Sequence, residues 1–265
     1  IAIIIDNTAP LISNNYGPDG TWTNSPQTAT LNPNDVGGSG VNVVRYCEGT
    51  SCTPNIDLAS PYQLNYNLDQ YTIVRYQAWD SVGNPSLIGE YNVKMDLTAP
   101  IVDAGVNAIT RVLVAQNANV DGSISGVASY SWTKVAGPGI ITFGTPTLED
   151  TTMFASLDGV YTIRLTAIDY AGNSAFDTMQ FTWDATEPNS NINALVPDPN
   201  NDNTPTLTGT ATDITTNITN VEYRIDGGAW NSATPTDGAF DSNNEAYTLT
   251  TAFLTDGIHT IEIRA

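Results

Sequence analysis

The chain has 265 residues, with 28 acidic side chains against 8 basic ones and a formal net charge of -20. That excess repels phosphate backbones and anionic lipid, so neither nucleic acid nor membrane insertion is expected, and no run approaches the roughly 20 apolar residues of a membrane span. One histidine and two cysteines leave no credible Ser-His-Asp or Cys-His set, so catalysis is not expected.

The chain opens on Ile1 to Ile5, too short for the apolar core of a signal peptide. It runs into Asp6 as Tyr91-Asn92-Val93-Lys94-Met95 runs into Asp96, so 1–5 reads as the last strand of an upstream repeat. Asp6-Asn7-Thr8-Ala9-Pro10 then recurs as Asp96-Leu97-Thr98-Ala99-Pro100 and Asp184-Ala185-Thr186-Glu187-Pro188, at intervals of 90 and 88 residues. A fixed period punctuated by a stiffening proline marks a repeat array. The expected domains are 6–95, 96–183 and 184–265.

Helical periodicity is missing, and apolar residues alternate over short stretches broken by Gly, Pro, Asn and Thr, which predicts an all-β chain. In the first repeat a strand around Val43 to Tyr46 leads to Cys47 and Cys52, which flank a hairpin-like tip, Glu48-Gly49-Thr50-Ser51. These cysteines are expected to form a disulfide, which implies an oxidising compartment. The second repeat predicts strands at Arg111-Val112-Leu113-Val114, Ser129 to Trp132, Tyr161 to Ala167 and Asp177 to Trp183.

In each repeat an apolar residue and an aromatic lie five apart: Val41 and Tyr46, Val127 and Trp132, Ile218 and Tyr223. This suits the central strand of an Ig-like sandwich, where a large ring fills the space between the sheets. Tyr71 and Tyr161 fit a tyrosine-corner position at the start of the longest strand, and His259 falls in the same column as a ring substituting for tyrosine. That strand ends in Asp80-Ser81-Val82-Gly83-Asn84 and Asp169-Tyr170-Ala171-Gly172-Asn173, glycine-containing hairpin turns. The third repeat stops at Ala265, before its equivalent turn and last strand.

The Asp-x-Thr-Ala-Pro linkers and Asp-x-x-Gly-Asn turns resemble the bacterial Ig-like domains strung in tandem in large surface adhesins and stalks. The second repeat, with Ser129-Tyr130-Ser131-Trp132 and Ile163-Arg164-Leu165-Thr166-Ala167-Ile168-Asp169, is similar to PKD-type domains. The resemblance implies a tandem array of three Ig-like β-sandwiches, the third lacking its last strand, in a prokaryotic extracellular or cell-surface protein.

In such a sandwich the linker aspartate faces two loops of the following domain. The converging columns are Asp6, Asp35 and Asp80, then Asp96, Asp121 and Asp169, then Asp184 and Asp213, with Asn84 and Asn173 able to add side-chain oxygens. Calcium takes six to eight hard oxygen ligands and suits such a set. Aspartate also recurs in turns because its carboxylate accepts backbone N–H bonds, and that needs no metal. Trp22, Trp79 and Trp230 are the candidates for glycan contact, whereas Trp132 and Trp183 read as core.

The function expected is therefore a mechanical spacer or stalk segment, rigidified by calcium at its junctions, whose partners are neighbouring Ig-like repeats of the same chain and a surface glycan or protein receptor. Two alternatives stay open. One is a carbohydrate-binding or accessory module of a secreted polysaccharide-acting protein. The other is a donor-strand homopolymer in which Ile1 to Ile5 completes the third domain of the next copy.

Overall fold

The computed structural model describes residues 5–198 and 200–265, and every regular element within them is a strand. Ile1 to Ile4, most of the expected upstream strand, lie outside the described residues, and with them the donor-strand reading. Three buried clusters form among the described residues, each between two facing sheets.

The first cluster lies between a sheet of Leu11–Asn14, Gln27–Asn34 and Gln63–Tyr66 and one of Trp22–Thr23, Gly89–Met95, Gln70–Asp80, Val41–Glu48 and Ile56–Leu58. Alternation dictates which faces meet: Val74, Tyr76, Ala78 and Asp80 point inward from one long strand, and Tyr91, Val93 and Met95 from its neighbour. Tyr66 and Tyr91 share a buried hydroxyl hydrogen bond of 2.7 Å, and burial pushes both phenols above their ordinary range. The expected disulfide is present, Cys47 to Cys52, and staples the tip of the hairpin in which Tyr46 pairs with Ile56.

The second cluster lies between a sheet of Ala108–Thr110, Ser174–Trp183, Gly159–Asp169 and Val127–Ala136 and one of Val114–Gln116, Thr151–Ala155 and Ile141–Phe143. Ile101–Asp103 pairs separately with Asn119–Asp121. Trp132 is buried, as expected, and its indole N–H donates to the carbonyls of Leu148 and Glu149. Trp183 packs half-buried against the same core. The strand expected from Arg111 begins only at Val114. Thr110 Oγ1 bonds both the N–H and the carbonyl of Val112, which turns the chain outward there and leaves Val112 and Leu113 exposed.

The third cluster lies between a sheet of Asn189–Ile192, Thr206–Thr212, Asn244–Thr250 and Thr234–Pro235 and one of Asn231–Ser232, Glu222–Ile225 and Ile261–Arg264, the last at a sheet edge. Glu222 faces Arg264 and Arg224 faces Glu262 across the strand pair, giving two ion pairs of 2.6 and 2.5 Å.

The corner at the start of the long strand is made twice, with different chemistry. The Tyr161 hydroxyl donates to the Leu157 carbonyl four residues back and accepts the Gly139 N–H at 3.1 Å. His259 Nε2 lies 2.8 Å from the Thr255 carbonyl, also four back, and its Nδ1 lies 2.7 Å from the Asp226 carboxylate. Tyr71 does not join them: it is 60% exposed, with the Lys94 ammonium over its ring. Counting back from Asp80 and Asp169, which end the equivalent strands, the counterpart of Tyr161 is Thr72. A one-residue offset puts the Tyr71 ring on the solvent face.

Tyr161→Phe leaves the buried Gly139 N–H and the Leu157 carbonyl without their partner, and is expected to cost about 1–3 kcal/mol in urea unfolding of the second unit. At His259 both ring nitrogens face acceptors, so the imidazolium is favoured and the pKa rises above 6.5, chiefly through the Asp226 hydrogen bond. A raised histidine pKa contributes stability fully present below 6.5 and lost as pH rises through the folded value. The melting temperature of the third unit is thus expected to fall as pH climbs above that point, and the decline should vanish in His259→Tyr.

Candidate functional site

The linker aspartates are the residues that recur, and each reaches forward into a loop of the following unit. Asp6 Oδ2 accepts the Ser39 N–H at 2.6 Å, and Asp96 Oδ2 accepts the Ser125 N–H at 2.9 Å. Asp184 Oδ2 accepts the Thr216 hydroxyl. The other oxygen of Asp6 and of Asp96 caps its own linker, accepting the N–H of Thr8 and Thr98 respectively. Chain geometry explains the motif: a carboxylate followed by three residues and then a stiffening proline can satisfy a nearby N–H while reaching across the joint.

The turn after the long strand supplies the second wall. Asp80 is fully buried, and its Oδ1 accepts the N–H groups of Val82, Gly83 and Asn84 at 2.7–2.9 Å. Gly83 has φ of 96°, a backbone angle that glycine adopts without steric cost, so that these N–H groups converge. Burial opposes ionisation of Asp80, but the hydrogen bonds, those of Asn84 first among them, outweigh it and hold the pKa below 3.8. Asp169 repeats the arrangement with Asn173 N–H and Gly172 at φ of 93°.

Asn84 and Asn173 turn their amide nitrogens, not their oxygens, toward the linker. Asn173 Nδ2 donates to Asp169 Oδ2 and to the Asp96 carbonyl, both at 2.8 Å, and Asn84 Nδ2 bonds Asp80 Oδ2 and the Asp6 carbonyl at 2.6 and 3.4 Å. With acceptors on both sides, the NH2 group is the end that must face inward.

The three junctions then diverge. At the first, Asp6, Asp35 and Asp80 place carboxylate oxygens within 4.8 Å of one another, the one such group of three found among the described residues. Asp35 Oδ2 accepts the Gly40 N–H at 2.7 Å, while Asp35 Oδ1 is buried with no hydrogen-bond partner among the described residues. Gly38 lies so close that an added Cβ would meet that oxygen at 2.3 Å. At the second junction Asp121 is exposed and caps the Ser123 N–H of its own loop, so Asp96 and Asp169 are not joined by a third carboxylate. Burial raises the Asp96 pKa, but hydrogen bonds from Ser125 and Thr98 outweigh that and lower it. At the third, Asp213 Oδ1 accepts the Thr215 and Thr216 N–H groups, so Thr216 ties Asp213 to Asp184, whose Oδ1 is again buried without a partner.

The tryptophans do not gather into one platform. Trp22 pairs with Lys94 beside the second linker and lies 6.2 Å from the Tyr71 ring. Trp79 adjoins Asp80 at the opposite end of that sheet with Arg45 over its ring at 5.0 Å, and Trp230 packs in the third unit against Arg224 and Arg264 at 4.7 and 4.2 Å. Asp69 and Asp158, each immediately before a long strand, also contact the linkers, and that recurring position is the signal by which the sequence could have identified them.

A family model described as the K319L-like PKD domain matches residues 102–182, within the repeat that resembles PKD-type domains in sequence. No curated protein matches this chain. Among solved structures, the fibronectin(III)-like modules of Clostridium thermocellum CbhA are similar at 10% identity and a TM-score of 0.31, covering 65% of this chain and 94% of that one. A tetra-tandem repeat from the extending region of a large adhesion protein is similar at 21% identity and a TM-score of 0.31, covering 97% of this chain and 65% of that one. A 1.5-MDa bacterial ice-binding adhesin structure is similar at 12% identity and a TM-score of 0.29, covering 98% of each. The strand pairing makes this an all-β chain of facing sheets, and the family model makes its middle portion PKD-like.

Proposed function

We propose that this chain is a non-catalytic spacer, a segment of a stalk that holds other parts of an extracellular surface or adhesion protein at a distance. The observation that carries the reading is that all three Asp-x-Thr-x-Pro linkers are bonded through their aspartate into a loop of the following unit, by Asp6 to Ser39, Asp96 to Ser125 and Asp184 to Thr216. A chain that invests its repeated residues in its joints transmits position along its length. The Cys47–Cys52 bond suits an oxidising exterior, and no helix among the described residues is long and apolar enough to cross a membrane.

Calcium at the first junction belongs to the same proposal. Asp6, Asp35 and Asp80 offer hard oxygen donors at a spacing that one ion spans, and the partnerless Asp35 Oδ1 is a buried polar atom that such an ion would satisfy. Bound there, the ion would neutralise mutual repulsion and tie the linker to two loops. The third junction, with Asp184 Oδ1 in the same condition, is the weaker candidate because only two carboxylates meet.

Saturating calcium is expected to raise the melting temperature of the first unit by about 5 °C or more, and to lengthen and narrow the particle seen by small-angle scattering. Asp35→Ala should remove the calcium-dependent part of both. A chain whose melting and scattering are indifferent to calcium and chelator would sink the ion but not the spacer. Domains that tumble independently in NMR relaxation, with or without calcium, would sink the spacer reading itself. A glycan array probed with the intact chain is expected to show no binding that Trp22→Ala or Trp230→Ala removes.

A further inference from the structure

The linkers are also held from behind. Asp69 stands immediately before the strand Gln70–Asp80, and Asp158 immediately before Gly159–Asp169. Asp69 Oδ1 accepts the Leu97 N–H and its Oδ2 accepts the Thr98 hydroxyl, each at 2.5 Å. Asp158 Oδ1 accepts the Ala185 N–H at 2.9 Å, and its Oδ2 accepts both the Thr186 N–H, at 3.1 Å, and the Thr186 hydroxyl. Both oxygens of each carboxylate are engaged by the same two linker positions, the residue after the motif aspartate and the threonine after that.

We infer that the second and third Asp-x-Thr-x-Pro linkers, at Asp96 and Asp184, are two-way couplings, in which the aspartate binds forward and the threonine binds back to Asp69 or Asp158, and that the backward half works without a cation. The donor inventory supports the second part. An N–H and an O–H from the linker satisfy Asp69, and two N–H groups and an O–H satisfy Asp158, so neither carboxylate depends on a cation for partners, unlike Asp35 with its partnerless Oδ1. Among the described residues neither carboxylate belongs to a group of three acidic side chains close enough to share an ion, in contrast to Asp6, Asp35 and Asp80. The threonine is then explained chemically. Its backbone N–H and hydroxyl lie on one residue, so at Thr186 a single position delivers two donors to one oxygen. A valine of the same shape delivers only the N–H.

The coupling sets a division of labour. The backward clasp fixes the path by which the chain leaves the preceding unit, and the forward aspartate fixes where the next unit begins. Loss of either half leaves one side of the linker attached, so the joint loosens without either sandwich unfolding. This inference stands apart from the calcium proposal, which concerns the forward half at the first junction.

The test is amide hydrogen exchange on the full chain in chelator, read residue by residue. Leu97, Ala185 and Thr186 are expected to be protected, and Asp158→Ala to speed exchange at Ala185 and Thr186 by roughly tenfold or more, while amides inside Gly159–Asp169 keep their rates. Because Asp158→Ala also alters a turn, Thr186→Val and Thr186→Ser form the second arm: the first should speed Ala185 exchange and the second should restore it. Unchanged Ala185 rates in Asp158→Ala, or equal rates in the two Thr186 variants, would overturn the coupling. Protection at Ala185 that disappears in chelator would overturn its independence from cations. The calcium proposal is read separately, at the amides of Ser39 and Gly40, so the two can fail independently.

Discussion

Carboxylate oxygens accepting backbone N–H groups where the chain leaves a strand are the interaction on which the rest of this structure depends. An all-β chain satisfies its N–H groups within ladders, but at every reversal and every linker those groups lose their partners. Asp80 and Asp169 close the turns after the two longest strands, Asp213 closes a loop of the third unit, and Asp6 and Asp96 cap the linkers. The net charge of -20 thus has a structural use. Several of its carboxylates are engaged acceptors at joints rather than a free field for long-range attraction.

The same backbone solution tolerates different side chains around it. Where the first junction gathers three carboxylates, the second uses the serine-containing loop at Ser125 and the third uses Thr216, each presenting a donor to the linker aspartate. The corner shows equal latitude, since Tyr161 and His259 both reach a carbonyl four residues back. The histidine version brings a second partner, Asp226, and with it a dependence on proton concentration that the tyrosine version lacks.

Much of the fold was legible because its signals are local. Two-residue alternation marked Gln70–Asp80 and Gly159–Asp169, and Cys47 and Cys52 across a four-residue tip are close enough in sequence to bond. Errors arose where one residue of offset or one side chain decides the outcome. Tyr71 falls on the solvent face although its chemistry suits a corner, and Val112 is apolar yet lies outside the strand because the Thr110 hydroxyl turns the chain there. At the joints, alignment brought Asp35 and Asp121 into one column, but only Asp35 reaches the linker aspartate; Asp121 caps its own loop. Asn84 and Asn173 were recognisable as joint residues, whereas which end of each amide faces the linker depends on neighbours from distant parts of the chain.

By itself the amino-acid sequence determined the repeat, the strand content and the positions of the linkers, because proline, glycine and alternating apolar residues act on the backbone within a few positions of themselves. Tertiary structure decided what each joint does. Asp6 and Asp80 are separated by most of a repeat, and Asp158 meets Thr186 only after an entire hairpin of two long strands returns to its starting level. Whether two carboxylates converge, or a carboxylate meets a hydroxyl instead, depends on loop lengths and strand register summed over the whole sandwich, and no local pattern carries that sum.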